Sequence, residues 1–392
     1  MNDVYSTFPT GYWIVKGKKF LNKVEALTYG AKLQQPVKFI YFDDVWDNFD
    51  RSLLGKFSLD ELYKQRAQQL RDKYDYLILY FSGGSDSYNV LRSFIDNGIK
   101  LDEVCVKWAV DSNKVHKPNA KDTSAYNYMS EWDYAILPVL QELAVSNPEI
   151  KIEIVDWFKD FQNVNFEKIF ATVLNWHDVE AASLSVWSPS EEKLVSQGKT
   201  VGSIYGVDKP ITYFAGNEVY MLFNDYCTTM ATPNPANPYG IEYFYWSHDF
   251  PLLSFEMAHV VGRWFCENEH FINMFAYSAE TYYNVTYNAI AYQSQQRELR
   301  HVLYSNWTDR FQTAKPTEAD RIDKQSWLLK SDELRPYYDK FKHHRDLYVK
   351  EVGGQKGPTA VHNANYLHLD NAKFYYPNVY SKKHLLFSRD SN

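Results

Sequence analysis

Tyr76-Leu77-Ile78-Leu79-Tyr80-Phe81, running directly into Ser82-Gly83-Gly84-Ser85-Asp86-Ser87, is the stretch that decides how this 392-residue chain is read. Apolar and aromatic side chains without polar alternation describe a strand buried on both faces. Val90, Leu91, Phe94 and Ile95 then recur at helical spacing until Asn97-Gly98 ends the element. Between strand and helix, two adjacent glycines let backbone amides approach an anion and the serines add hydroxyl donors. The helix N-terminus adds free N–H groups and partial positive charge. Asp86 would repel a phosphate unless a cation stood between them; magnesium, which binds carboxylate and phosphate oxygens together, meets that need. The plainer reading is a strand-to-helix turn with Asp86 as the helix cap. It is not a Walker A loop, because the GxxxxGK[ST] spacing and its lysine are absent.

Working outward, Ser58 and Glu61 stand at capping-box spacing, and Leu59, Leu62, Tyr63, Arg66 and Leu70 fall on one face of a helix expected to run to Lys73. Downstream, 104–110 and 150–155 read as buried strands separated by a helix at 131–144. Another short strand at 201–205 leads into Gly206-Val207-Asp208-Lys209-Pro210. This alternation predicts an α/β fold, a parallel twisted sheet with flanking helices. Segments 217–226, 253–264, 271–275 and 293–304 read as helices, so the rest of the chain is expected to be mostly helical. The expected organisation is a lead-in over 1–56, with a helix at 23–32, packed on the main domain. An α/β domain follows over 57–215, then a C-terminal region over 216–392.

Composition narrows the function. With 45% apolar residues the chain can build a substantial core, and its formal charge of −7 disfavours nucleic acid as a partner while leaving it open. The segment beyond Lys330 is locally basic, which a solvated helical surface explains. Aromatic residues reach 17% with 32 tyrosines, suiting a packed core with polar tips or, less simply, a stacking surface for bases. The three cysteines, Cys105, Cys227 and Cys266, show no zinc-site spacing. No basic segment followed by an apolar one opens the chain, and no apolar run reaches bilayer length. A reduced, cytoplasmic protein with no membrane partner is the expectation.

SGGSDS after an apolar strand resembles the SGGxDS loop of the PP-loop ATP pyrophosphatase superfamily. The resemblance implies a PP-loop (HUP-like) ATP-binding domain over 57–215. Ser82, Gly83, Gly84, Ser85, Asp86 and Ser87 would hold the pyrophosphate of ATP, with Asp86 on Mg2+. It also implies cleavage of ATP to AMP and pyrophosphate to activate an acceptor for attack by an amine or ammonia. Asp133-Tyr134-Ala135 and the Gly206-Val207-Asp208 turn are similar to features of the synthetase domain of asparagine synthetase. The Met1-Asn2 start implies no glutaminase, and the fuller Gly-Asp-Glu-Leu-type sequence is missing. A small-molecule or nucleotide substrate is implied, met by the 216–392 region. The alternatives are a PP-loop enzyme that modifies a nucleic-acid base or nucleotide, and a non-catalytic nucleotide-binding regulator.

Other residues carry two readings each. Lys209 and Asp208, at the end of a strand, are catalytic candidates: a cation there could neutralise departing pyrophosphate, and a surface turn explains it equally. Ser247-His248-Asp249 spells triad letters, but neighbouring side chains diverge. His343-His344, between Lys342 and Arg345, reads as a charged helix face before a metal site. His116 and Lys117 lie in the loop after the second strand and could meet substrate or solvent. Cys105 within a buried strand, and Cys227 and Cys266 in aromatic surroundings, disfavour sulfur transfer.

Overall fold

A computed structural model describes residues 8–110, 132–159, 186–207, 209–225, 233–268, 300–306, scattered positions between 332 and 343, and 379–390. The chain opens with β1 (Tyr12–Val15) and β2 (Lys18–Phe20), joined through Lys16 and Gly17, both at positive φ as a type I′ hairpin turn demands. After α1 (Lys23–Leu33), β3 (Lys38–Ile40) joins the other edge of β1, giving an antiparallel sheet of order β2-β1-β3. The short α2 (Asp43–Asp47) and the longer α3 (Leu59–Lys73) follow. The expected capping box is formed: Ser58 Oγ accepts from the Glu61 amide, and a Glu61 carboxylate oxygen accepts from the Ser58 amide at 2.8 Å. The buried face of α3 carries Leu59, Leu62, Tyr63, Arg66 and Leu70, as the spacing predicts.

The chain continues through β4 (Tyr76–Tyr80), α4 (Ser85–Ile95), β5 (Glu103–Trp108), α5 (Leu137–Ser146), β6 (Lys151–Asp156), α6 (Pro189–Ser196), β7 (Val201–Tyr205), β8 (Ile211–Ala215), β9 (Glu218–Leu222), β10 (Ile241–Tyr243), α7 (Pro251–Glu267) and β11 (His384–Ser388). The expected α/β architecture is present as a five-stranded, all-parallel sheet of order β10-β7-β4-β5-β6. Numbered by appearance in the chain, its strands run 5-4-1-2-3 across the sheet. The chain winds outward from β4 through β5 to β6, then returns to the other side of β4 to add β7 and β10. The direction of winding therefore reverses between β4 and β7, as in doubly wound sheets.

Both faces of this sheet are covered. Leu77, Leu79, Phe81, Val104, Val106, Trp108 and Ile204 join a core with Leu62, Leu70, Val90 and Phe94 of α3 and α4. Ile78, Tyr80, Cys105, Val201 and Tyr205 face the other way, against Trp13, Phe39, Tyr41 and Trp46 of the lead-in and Val219 and Met221 of β9. Residues of the first 56 thus share a core with the parallel sheet. The lead-in is also pinned: Asp225 accepts from Trp13 Nε1 at 2.7 Å, Lys23 Nζ at 2.8 Å and the Val379 amide at 3.0 Å.

The helical expectation holds for 253–264, which lies within α7, and for Arg300 to Leu303, the described helical part of 293–304. It fails at 217–226. There β9 pairs with β8 and β11 in a second antiparallel sheet of order β11-β9-β8. Gly216, at φ +59, reverses the chain in a two-residue turn, after which Val219 and Met221 alternate inward. The described residues beyond 215 thus mix helix with strand, and the boundary at 215 falls inside the β8–β9 hairpin. The fifth strand of the parallel sheet, β10, lies beyond it. Segment 271–275 lies outside the described residues. The helix expected at 131–144 is a π-helical turn, Trp132–Ile136, leading into α5, with Pro138 in the first turn of α5.

Candidate nucleotide site at the sheet switch point

In doubly wound sheets the ligand crevice opens at the carboxyl ends of the strands where the winding reverses. Here those ends are the Ser82–Gly84 turn after β4 and the chain leaving β7 at Gly206 and Val207. The two strands are direct neighbours, with Tyr80 registered on Tyr205.

The first turn is shaped by its glycines. Gly83 has φ +74, and a Cβ there would lie 2.8 Å from Ile136 Cγ1 and 3.1 Å from Ala135 Cβ. The π-helical turn carrying Asp133-Tyr134-Ala135 therefore rests directly against the loop. Gly84 is the N-cap of α4 and offers no side-chain cap, so the first-turn amides of this helix, which have no intrahelical acceptor, stay uncapped by it. The serines brace the turn: Ser82 N donates to Ser87 Oγ at 3.2 Å, Ser87 Oγ donates to Gly84 O at 3.1 Å, and the Ser82 and Ser87 hydroxyls lie 3.2 Å apart. Ser85 Oγ reaches Asp86 Oδ1 at 3.4 Å.

The second turn closes on the first. A Cβ on Gly206 would stand 3.0 Å from the backbone of Asp86 and Ser87, so glycine lets the end of β7 lie against the start of α4 with no side chain pressing on that backbone. Lys209 Nζ then reaches Asp86 Oδ1 at 2.8 Å, bridging residues 123 positions apart. Of the catalytic candidates, Lys209 is thus brought to the loop; Asp208 lies outside the described residues. The capping reading of Asp86 is not what the geometry shows, because Gly84 holds the cap position and the carboxylate turns to Lys209 and to a tyrosine.

That tyrosine, Tyr304, donates to Asp86 Oδ1 at 2.6 Å, and Tyr245 donates to the Asp86 carbonyl at 2.7 Å while accepting from Asn89 Nδ2 at 3.1 Å. None of the three was singled out by sequence; a tyrosine among 32 carries no signal of its partner. Burial alone would raise the pKa of Asp86, but the charge and hydrogen bond of Lys209, the Tyr304 hydroxyl and the charge of Arg300 outweigh it. The carboxyl is held below its ordinary value and is ionised at neutral pH. Burial, reinforced by the charge of Asp86, pushes Tyr304 and Tyr245 well above the usual phenol range, so both remain donors.

The donor set fits phosphate and magnesium. Among the described residues no three His, Cys, Asp or Glu side chains group as a metal site, so protein ligation would rest on Asp86 with the remaining oxygens coming from phosphate and water. Asp86 Oδ1 receives the Lys209, Tyr304 and Ser85 donors, whereas Oδ2 takes no hydrogen bond from the described residues.

The remaining readings resolve simply. His248 stacks on Phe42 at 3.6 Å with Nε2 3.1 Å from Asp249 Oδ1, Asp249 also pairs with Lys73 at 2.7 Å, and Ser247 Oγ accepts from the Asp249 amide, so the three letters form a turn in which the serine hydroxyl is engaged by backbone. Cys105 is buried in β5, where burial raises its thiol pKa, and Cys266 lies in α7. Cys227, His116, Lys117, Lys342, His344 and Arg345 lie outside the described residues.

One lysine unnoticed in the sequence stands at the same sheet edge. Lys107, two residues beyond the partner of Tyr80 on β5, holds Nζ 4.7 Å from the Tyr80 ring centroid and 5.9 Å from that of Tyr205. Burial lowers its pKa from 10.5 to about 8, against the opposing influence of Cys105 and Glu191. The fold disfavours the charged amine, so this destabilisation is complete below pH 8 and fades as pH rises to the unfolded value of 10.5. Lys107→Met is therefore predicted to stabilise the protein at pH 7 by on the order of 1 kcal/mol. Chemical denaturation at pH 7 and at higher pH checks this; a gain that did not shrink on the alkaline side would contradict it. No protein-family model, curated protein or solved structure matches the chain, so its function is read from these residues and their geometry.

Proposed function

We propose that the protein is an ATP- and Mg2+-dependent adenylating ligase that splits ATP into AMP and pyrophosphate. The observation that carries this reading is the Lys209–Asp86 contact of 2.8 Å, which joins the two glycine turns at the switch point of the sheet. In this reading the first-turn amides of α4 and the Ser82 and Ser87 hydroxyls bind the β- and γ-phosphates. Lys209, already beside the loop, turns its charge to the departing pyrophosphate. Asp86 would hold the magnesium, which when bound would supply neutralisation of phosphate charge. An acceptor oxygen attacks the α-phosphorus, the α–β bridging bond breaks, and an amine or ammonia then displaces AMP from the acceptor. The residues beyond 216 are proposed to meet that acceptor, but Tyr245 and Tyr304 also give them a share in the nucleotide site.

If the loop grips pyrophosphate, inorganic pyrophosphate with Mg2+ is expected to bind and to compete with ATP. Calorimetric titration of each in the presence of the other tests this. Independent binding of the two, or binding of neither, would overturn the proposal.

A further inference from the structure

A metal-binding carboxylate works only if one oxygen is kept turned toward the metal, and Asp86, in the first turn of α4, has a side chain that can rotate unless something fixes it. Lys209 is a poor fixture: its side chain is 30% exposed and reaches the carboxylate through a flexible stem. Tyr304 is a good one. It is 2% exposed, its ring lies 6.3 Å from that of Tyr63 and 6.0 Å from that of Tyr245, and Tyr63 Oη donates to Leu303 O at 2.8 Å beside it. Tyr245, fully buried, fixes the backbone of the same residue and is itself tied to α4 through Asn89 and to α7 by Ser254 Oγ, which donates to Tyr245 O at 2.8 Å.

We propose that Tyr304, supported by Tyr245, is a positioning residue that holds Asp86 Oδ1 so that Oδ2 faces the metal accompanying a bound nucleotide. The inference rests on the ATP reading above. It gives the second half of the chain a specific role, in which the seating of Tyr304 against α4 completes the metal site. A tyrosine that merely filled the core would act on stability alone.

Mn2+, which takes the same oxygen ligands as Mg2+, makes the distinction measurable through the paramagnetic resonance of the free ion in titrations with ATP. Asp86→Asn is expected to weaken binding of the Mn2+–ATP complex by more than tenfold, and Tyr304→Phe, which loses one hydrogen bond to a charged group, by about tenfold. Because Tyr304 acts through Asp86, adding Tyr304→Phe to Asp86→Asn is expected to produce no further loss. ATP binding without metal is expected to be unchanged by Tyr304→Phe. Parent-like Mn2+–ATP binding by Tyr304→Phe, or losses that simply add in the double variant, would overturn the proposal while leaving the ATP reading intact. Parent-like binding by Asp86→Asn would remove the magnesium role on which the proposal stands. Should Tyr304→Phe fail to fold, Tyr245→Phe is measured in its place, with the same expected coupling to Asp86.

Discussion

Asp86→Asn is expected to lower ATP cleavage by about 10²- to 10³-fold, the usual effect of removing one electrostatic partner of a phosphoryl or acyl transition state. Asparagine keeps the size and the Oδ1 acceptor, so the Tyr304 hydroxyl retains a partner. What disappears is the negative charge, and with it the counter-ion of Lys209 and the proposed metal ligand. The effect on folding should be small, because the two side chains are 30% and 28% exposed and solvent screens such a pair. The sign of its pH dependence follows from the depressed pKa of Asp86. The ion pair stabilises the protein above the ordinary carboxyl value of 3.8, and this contribution is lost as pH falls through the lower folded value. The stability difference between parent and variant should therefore narrow in acid. Steady-state rates across a magnesium titration decide the functional part; near-parent activity at every concentration would mean that Asp86 serves only the ion pair.

Gly83→Ala should damage the proposed nucleotide site through two separable effects. An alanine at φ +74 adopts the left-handed conformation at about 1–2 kcal/mol. Its Cβ would also stand 2.8 Å from Ile136 Cγ1 and 3.2 Å from the Ile136 amide nitrogen, so the loop must move away from the turn that supports it. Gly198 separates the two effects. It has φ +79 and nothing within 4 Å of a built Cβ, so Gly198→Ala carries the backbone strain without the collision. Both variants are expected to lose thermal stability, but only Gly83→Ala should lose ATP and pyrophosphate affinity, by about tenfold or more, equivalent to about 1.4 kcal/mol. Calorimetry on the pair measures this. Equal ATP affinity in parent and both variants would show that the loop does not hold phosphate.

What the sequence revealed is what local chemistry dictates. The apolar run at Tyr76, the Ser58–Glu61 capping box and the short strand before Gly206 each contain their own signal, and all appear in the structure within a residue or two. Lys209 could be connected with the loop because both follow strands, and a parallel sheet gathers strand ends at one edge. The second antiparallel sheet was hidden because β9 is five residues long within an aromatic-rich stretch, where helical and alternating patterns are hard to separate. The Gly216-Asn217 turn was the signal that could have corrected it. β10, three residues between Gly240 and Phe244, is too short for any periodicity. Tyr245 and Tyr304 depend wholly on tertiary placement: Tyr304 lies 218 residues from Asp86, and no spacing rule connects them.

The position at which ATP is cut is decided by phosphorus NMR of ATP incubated with the protein, Mg2+ and ammonia, against panels of small carboxylates, amides, nucleotides and nucleic acids. AMP and pyrophosphate appearing together with a small-molecule acceptor is the predicted result, whereas ADP and orthophosphate as the sole products would contradict the account.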